Sequence, residues 1–356
     1  MRILFTSSDP GSAQQNDSIA KYIKKRKNSL IGYISSQVAE EYYSSDFDKI
    51  LCFPFSKQID NNLLRDFIIE FKPDFIFLGL STNKNSVDYK VCKISEKMNI
   101  QTGSIQDYYG YVGSYNNAVK PDYFFVIDEY AKTLTENANI CESEKIFITG
   151  SPKHFDYYSK IKKWDKDFQK LHYKNNEIIF FLQPLEIPGI KTNMIALCKA
   201  LNEVKPGYKL NVKPHPLDKN SSTLKYLSNK YFLNIIDPKN TPVELLLIYY
   251  NNIFNCFSTI SYDYYFLSKY LLSFNKSKLF NLFLGKDIFY SMSKLNFDIT
   301  MTPQYQIGIN LKDQNSLIKN LQLIFNSSKS DGYKLKSNNN NNNFSAEKIM
   351  NIIQGL

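Results

Sequence analysis

The sequence predicts an α/β protein in two parts, each built on a parallel sheet with helices on both faces. Three observations carry that prediction. Short apolar runs alternate with helix-period segments along most of the chain, the pattern of parallel strands joined by crossover helices. The rhythm breaks over residues 156–175, a charged stretch that holds the sole tryptophan, Trp164, and suits a connector or crossing helix. A length of 356 residues, with 43% hydrophobic side chains, supplies two cores of ordinary size.

Residues 1–6 read as a buried strand, followed by the polar loop Ser7-Ser8-Asp9-Pro10-Gly11-Ser12-Ala13 and a helix from near Asp17 to about Lys27. Strand, glycine-containing loop and helix open a Rossmann-like unit, with the loop at the carboxyl end of the strand. The loop lacks GxGxxG, so it reads as substrate-facing and not as an NAD site. Ser8, Asp9, Gly11 and Ser12 become candidate acceptor-side residues. Strands follow at 29–34, 49–52, 73–80, 100–105, 122–127 and 145–149, with helices at 62–71, 87–98 and 130–136.

A second series begins after the connector. It predicts strands at 177–182, 208–212, 232–236, 253–257 and 271–274. Helices are expected at 192–204, 221–230, 242–249 and from 262 onward. The stretch 326–343 is rich in Ser, Lys and Asn and includes six consecutive asparagines, a composition that cannot bury a core. An amphipathic helix at 345–353, with Ser345 as its N-cap, closes the chain. The expected division is therefore 1–155, 156–330, an Asn-rich segment at 331–344, and a final helix at 345–356 that packs back on the first domain.

A formal net charge of +10 points to an anionic partner: a nucleotide phosphate, an acidic glycan or a membrane surface. No nucleic-acid-reading motif occurs, and the only basic cluster, Lys24-Lys25-Arg26-Lys27, reads more simply as a solvated helix end. Five widely spaced cysteines without a CxxC pair fit a reduced compartment. No signal-peptide core is present, and no run reaches the roughly 18 apolar residues of a membrane span. The expectation is a cytoplasmic protein, with peripheral contact at the inner face of the membrane through its basic surface.

Chemistry concentrates where strands of the second series end. Gln183-Pro184-Leu185-Glu186, Lys213-Pro214-His215-Pro216 and Ser258-Thr259-Ile260-Ser261 each follow an apolar run. Ligands of open α/β sheets bind outside the carboxyl ends of strands, so the three converge if their strands share a sheet. Hydroxyls and backbone N–H groups opening a helix suit a phosphate. His215 and Lys213 add donors for developing negative charge, and Glu186 can accept from ribose hydroxyls or a base amine. The competing readings are structural: an N-cap for Ser258–Ser261, a strand end for Gln183-Pro184, and an incidental histidine between two stiff prolines. His154 and His172 have no partner at metal-ligand spacing and read as surface residues. No Cys/His cluster supports zinc and no GxSxG elbow supports a serine hydrolase.

Two Rossmann-like halves with a phosphate cradle in the second resemble GT-B glycosyltransferases, whose parallel sheets face an interdomain cleft. Within that class, KPHP after a strand and a Ser/Thr cluster some forty residues on resemble the bacterial sialyltransferases and capsule Kdo transferases. Gln183-Pro184 is similar to the QP motif of the latter. The resemblance implies an inverting, metal-independent glycosyltransferase moving a sialic acid-like nonulosonate or Kdo from a CMP donor to a glycan, glycolipid or protein acceptor. It implies no cofactor beyond the nucleotide sugar. His215, Ser258, Thr259 and Ser261 would contact the CMP phosphate. Asp107, in Gln106-Asp107-Tyr108-Tyr109-Gly110, stands where the family carries its general base, though without the paired carboxylate. Asp9 and Asp128-Glu129 are reserves. A UDP-sugar 2-epimerase or hydrolase, a CDP-polyol phosphotransferase and a non-catalytic nucleotide-binding component are the alternatives on the same architecture.

Overall fold

The computed structural model describes residues 1–26, 29–40, 42–43, 46–54, 59–81, 83–107, 109, 119–155, 157, 174–215, 218, 221–237, 241–270, 277–294, 298–326 and 344–356. The chain divides into two compact units, Met1–Asp156 with Asn340–Leu356, and Tyr157–Asn339. The expected connector helix with Trp164, His172, Pro216, the strand at 271–274 and nearly all of the Asn-rich segment lie outside the described residues.

The first unit runs β1 (Arg2–Ser7), α1 (Pro10–Lys24), β2 (Leu30–Ser36), α2 (Gln37–Glu40), β3 (Lys49–Phe53), α3 (Asn61–Phe71), β4 (Phe75–Leu78), α4 (Val87–Met98), β5 (Thr102–Ile105), β6 (Tyr123–Val126), α5 (Glu129–Asn137) and β7 (Ile146–Ile148). Its strands form one parallel sheet in the order β3-β2-β1-β4-β5-β6-β7. The second runs β8 (Lys174–Phe181), α6 (Ile190–Val204), β9 (Asn211–Lys213), α7 (Ser222–Tyr231), β10 (Asn234–Ile235), α8 (Val243–Tyr249), β11 (Tyr250–Asn255), α9 (Ile260–Tyr270), β12 (Lys278–Leu282), α10 (Lys286–Ser293), α11 (Pro303–Ile307), β13 (Ile309–Leu311) and α12 (Gln314–Asn326). Its sheet is also parallel, ordered β10-β9-β8-β11-β12-β13. Each sheet reverses direction once, between β1 and β4 and between β8 and β11. These reversals are the points where doubly wound sheets bind ligands.

Alternation along the strands divides each core between two faces. In the first unit Ile3, Phe5 and Phe77 pack on one side, and Leu4, Ile76 and Leu78 on the other. In the second, Phe180, Val212 and Phe254 face α6 and α12, while Ile179, Ile253 and Leu279 face α8 and α9. Full burial of each such side chain is worth about 1.5–3 kcal/mol. The last helix, α13 (Phe344–Gln354), inserts Ala346, Ile349, Met350 and Ile353 among Ile3, Phe5 and Ile19. Arg26 pairs with its Glu347, and Lys24 with Asp48, so much of the basic cluster is held in ion pairs.

Several boundaries differ from the sequence reading. Helix α1 begins at Pro10, not near Asp17. Asp9 is its N-cap, accepting from the Ser12 N–H, and Pro10 occupies the first turn, where a missing N–H is harmless. Gly11 and Ser12 are thus helical, not loop. β9 is shorter than predicted because Tyr208 lies outside it, its hydroxyl accepting from the Ile178 N–H. Ser345 is inside α13, which starts at Phe344, and does not cap it.

Candidate functional site

At the first sheet's reversal, one carboxylate bridges the parting strands. Asp88, in the first turn of α4 and fully buried, accepts from Thr6 Oγ1 at 2.6 Å and from the Ser8 N–H at 3.1 Å on the β1 side. On the β4 side it accepts from the Gly79 N–H at 3.2 Å. A Cβ at position 79 would sit 2.7 Å from Asp88 Oδ1, so only glycine lets the carboxylate approach this strand end. Burial, with a smaller contribution from the charge of nearby Asp9, pushes the Asp88 carboxyl up to about 6.

Asp9 and Asp107 complete an acidic group around the start of α1. Burial raises the Asp9 carboxyl, and its hydrogen bonds from Ser12 oppose that shift. The carboxylate of Asp107, which follows β5, lies against Gly11, where it would collide with any Cβ. Beside it Gln106 is fully buried, with neither polar atom of its amide hydrogen-bonded. An unsatisfied buried group costs about 1–3 kcal/mol, so stability is surrendered at this strand end.

The other candidates of this half have structural employment. The Ser8 backbone serves Asp88, and the Ser12 hydroxyl donates to the Asp9 carbonyl within the cap. Asp128 caps α5 through the Ala131 N–H and accepts from the Tyr109 hydroxyl, while Glu129 is exposed. His154 is a correction. It is 2% exposed, not a surface residue, and its Nδ1 meets Ser151 Oγ, which also binds Gln15.

The second sheet brings together the three strand ends singled out in sequence, because β9, β8 and β11 are neighbours. Gln183 bridges this reversal: its Oε1 accepts from the Phe257 N–H at 3.1 Å. That bond occupies the amide oxygen and leaves the NH2 as a donor. Ser258 Oγ accepts from the Ile260 N–H at 3.3 Å, and Thr259 is exposed at the opening of α9. His215 is half-buried after β9. Burial lowers its imidazole below the usual range, against the opposing pull of Asp218 and Glu186, which favours the neutral ring. Asp218 also accepts from the Leu185 N–H at 2.9 Å, joining the loops that follow β8 and β9. Pro184 closes a turn through Ile187, and Glu186 is exposed.

Two residues of this half are placed otherwise than expected. Lys213 is 8% exposed, on the strand face opposite Val212, with Asp237 and Glu244 beside it. Its charge is answered inside the protein. Ser261 is 1% exposed, and its hydroxyl lies 3.1 Å from Asn255 Oδ1 and 3.2 Å from Asn281 Oδ1. It belongs to the buried network. Gln183, His215, Ser258 and Thr259 also stand at this edge, groups able to donate to an anion. Asp88, Gln106 and the asparagines escaped the sequence reading. Only the cap Ser86 before a helix-borne Asp88 could have hinted at the first.

Among the described residues no group of three or more His, Cys, Asp or Glu could hold a metal ion, and no helix is long and apolar enough to cross a membrane. No protein-family model matches the chain, and no curated protein matches it. Solved structures do. A UDP-GlcNAc 2-epimerase of Methanocaldococcus jannaschii, in complex with UDP-GlcNAc and UDP, is 14% identical with a TM-score of 0.64, covering 100% of both chains. A UDP-N-acetylglucosamine 2-epimerase from Rickettsia bellii is 11% identical at TM-score 0.56, covering 91% of this chain and 95% of its own. UGT89C1 of Arabidopsis thaliana, complexed with UDP, is 11% identical at TM-score 0.56, covering 99% and 98%. The fold is therefore α/β of the GT-B type, with two Rossmann-like domains. The first and third of these structures hold UDP, and nothing in the similarity points to a sialyltransferase or Kdo transferase in particular.

Proposed function

We propose that the protein is an enzyme acting on a UDP-linked sugar, with 2-epimerase or hydrolase chemistry as the first reading. The observation that carries it is the donor set at the reversal of the second sheet: the Gln183 amide, His215, Ser258 and Thr259. Breaking the anomeric C–O bond leaves its electron pair on a phosphate oxygen, and these donors are the groups that stabilise such an anion. A neutral His215 can donate one hydrogen bond without fixing a permanent charge on the leaving group.

Epimerisation removes a proton from the carbon next to the anomeric centre, hydrolysis removes one from water, and transfer removes one from an acceptor hydroxyl. Asp107 is the base proposed for that step. Asp9, whose carboxyl burial raises, stands across Gly11 from it. The UDP in the similar structures supports the choice of nucleotide over CMP. The KPHP and Ser/Thr spacing favours the second reading, transfer of an acidic sugar from a CMP donor.

Incubation with UDP-, CMP- and CDP-sugars tests the assignment, with nucleotide release and deuterium uptake at C2 from D2O as readouts. Turnover of UDP-sugars with C2 exchange is expected. Turnover of CMP-sugars alone would replace the first reading by the second. Nucleotide binding without turnover of any donor would support a non-catalytic component.

A further inference from the structure

The carboxyl edge of the second sheet also carries a row of asparagines with no part in the chemistry above. Asn255 pairs in register with Asn281, and Asn281 with Asn310, across β11, β12 and β13. Their amides are linked in one sense. Asn255 Nδ2 donates to Asn281 Oδ1 at 3.1 Å, Asn281 Nδ2 to Asn310 Oδ1 at 2.9 Å, and Asn310 Nδ2 to the Tyr305 carbonyl at 3.1 Å. At the near end Asn255 Oδ1 accepts from the Ser258 N–H at 3.1 Å, and the Ser261 hydroxyl lies between Asn255 and Asn281. Asn255 is 0% and Asn281 2% exposed.

Asparagine is disfavoured in strands, and a row of three, two of them buried, is not what packing alone selects. A satisfied network of directional bonds holds its members in one arrangement, which an apolar row of equal volume does not do. The row ends on the backbone that opens α9, the segment bearing Ser258 and Thr259.

We infer that Asn281 and Asn310 are positioning residues for phosphate recognition, acting through Asn255 to fix the first turn of α9. The inference rests on the nucleotide reading above. Neither residue touches the ligand. Their role is to hold the Ser258 and Thr259 donors in the geometry that an anion requires, so that little ordering remains to be done on binding.

The test uses the full chain with Asn281→Leu and Asn310→Leu. If Asn281→Leu does not fold, Asn310→Leu, at the far end of the row, carries the measurement. Affinities for UDP and for uridine, which lacks phosphate, are compared by ligand-observed NMR, and amide hydrogen exchange is followed over residues 256–262. Asn281→Leu is expected to weaken UDP about tenfold while changing uridine less than about twofold. Exchange should quicken at the opening of α9 and not in the first unit. Unchanged exchange there, equal losses for UDP and uridine, or unchanged UDP affinity would each overturn the inference. Wild-type protein that binds neither ligand overturns the nucleotide reading and this inference with it. A failure of the asparagine row alone would leave wild-type UDP binding intact.

Discussion

At the first sheet's reversal the bridging side chain is Asp88; at the second's it is Gln183. Both span the gap between strands that part company, and both accept backbone N–H groups there. The difference lies in what else they offer. Asp88 is an acceptor with the Asp9 carboxylate near it, and Asp107 lies across Gly11 from Asp9. Gln183 spends its oxygen on Phe257 and is left with donors, beside His215, Ser258 and Thr259. One strand order thus gathers two kinds of group: carboxylate acceptors at one edge and donors at the other. The lesson is that a doubly wound sheet fixes where side chains gather, and the residue at the reversal decides whether acceptors or donors gather there.

The sharpest way to break this contrast is Asp107→Asn. If Asp107 is the base, turnover falls about 10²–10⁴-fold while UDP affinity holds. A titration of both quantities checks it. His215→Ala works on the other edge and should weaken UDP about ten- to a hundredfold, a loss of about 1.4–2.8 kcal/mol read by calorimetry. The melting temperature should change little.

Asp88 gives a pH signature. Its carboxyl is raised from the ordinary 3.8 to about 6, so the fold favours the protonated form. Its contribution to stability is complete below about pH 4 and is lost as pH rises through about 6, at most about 3 kcal/mol. Denaturant unfolding of wild type and Asp88→Asn across pH 4–7 isolates the effect. The wild type should lose stability relative to the variant as pH rises. A smaller effect is expected for Lys213→Met, which leaves Asp237 and Glu244 without their buried cation. It should cost about 1–3 kcal/mol of stability with nucleotide affinity unchanged. Weakened UDP binding would return Lys213 to the site.

Much of this was legible in the chain. Apolar runs with period-2 or 3.6 patterning marked most strands and helices, and α4 falls at Val87–Met98 as read. The neighbouring ends at Gln183, His215 and Ser258 followed from the rule about carboxyl edges. Other features were legible and misread. Asp9-Pro10 is a helix start as well as a loop signal, and choosing the loop displaced α1. Lys213 follows Val212, and strict alternation already sends it to the opposite face. Asp88 and the asparagine row were not legible. Each acquires its role from a partner more than twenty residues away, Thr6 for Asp88 and the next strand for each asparagine. Local patterning does not encode such pairings.

The proposed division of labour between the two edges has one direct measurement: UDP affinity of the wild type, Asp107→Asn and His215→Ala, side by side under one buffer. The account predicts equal affinity for the wild type and Asp107→Asn, with a clear loss in His215→Ala alone. A loss in Asp107→Asn as large as that in His215→Ala would contradict it.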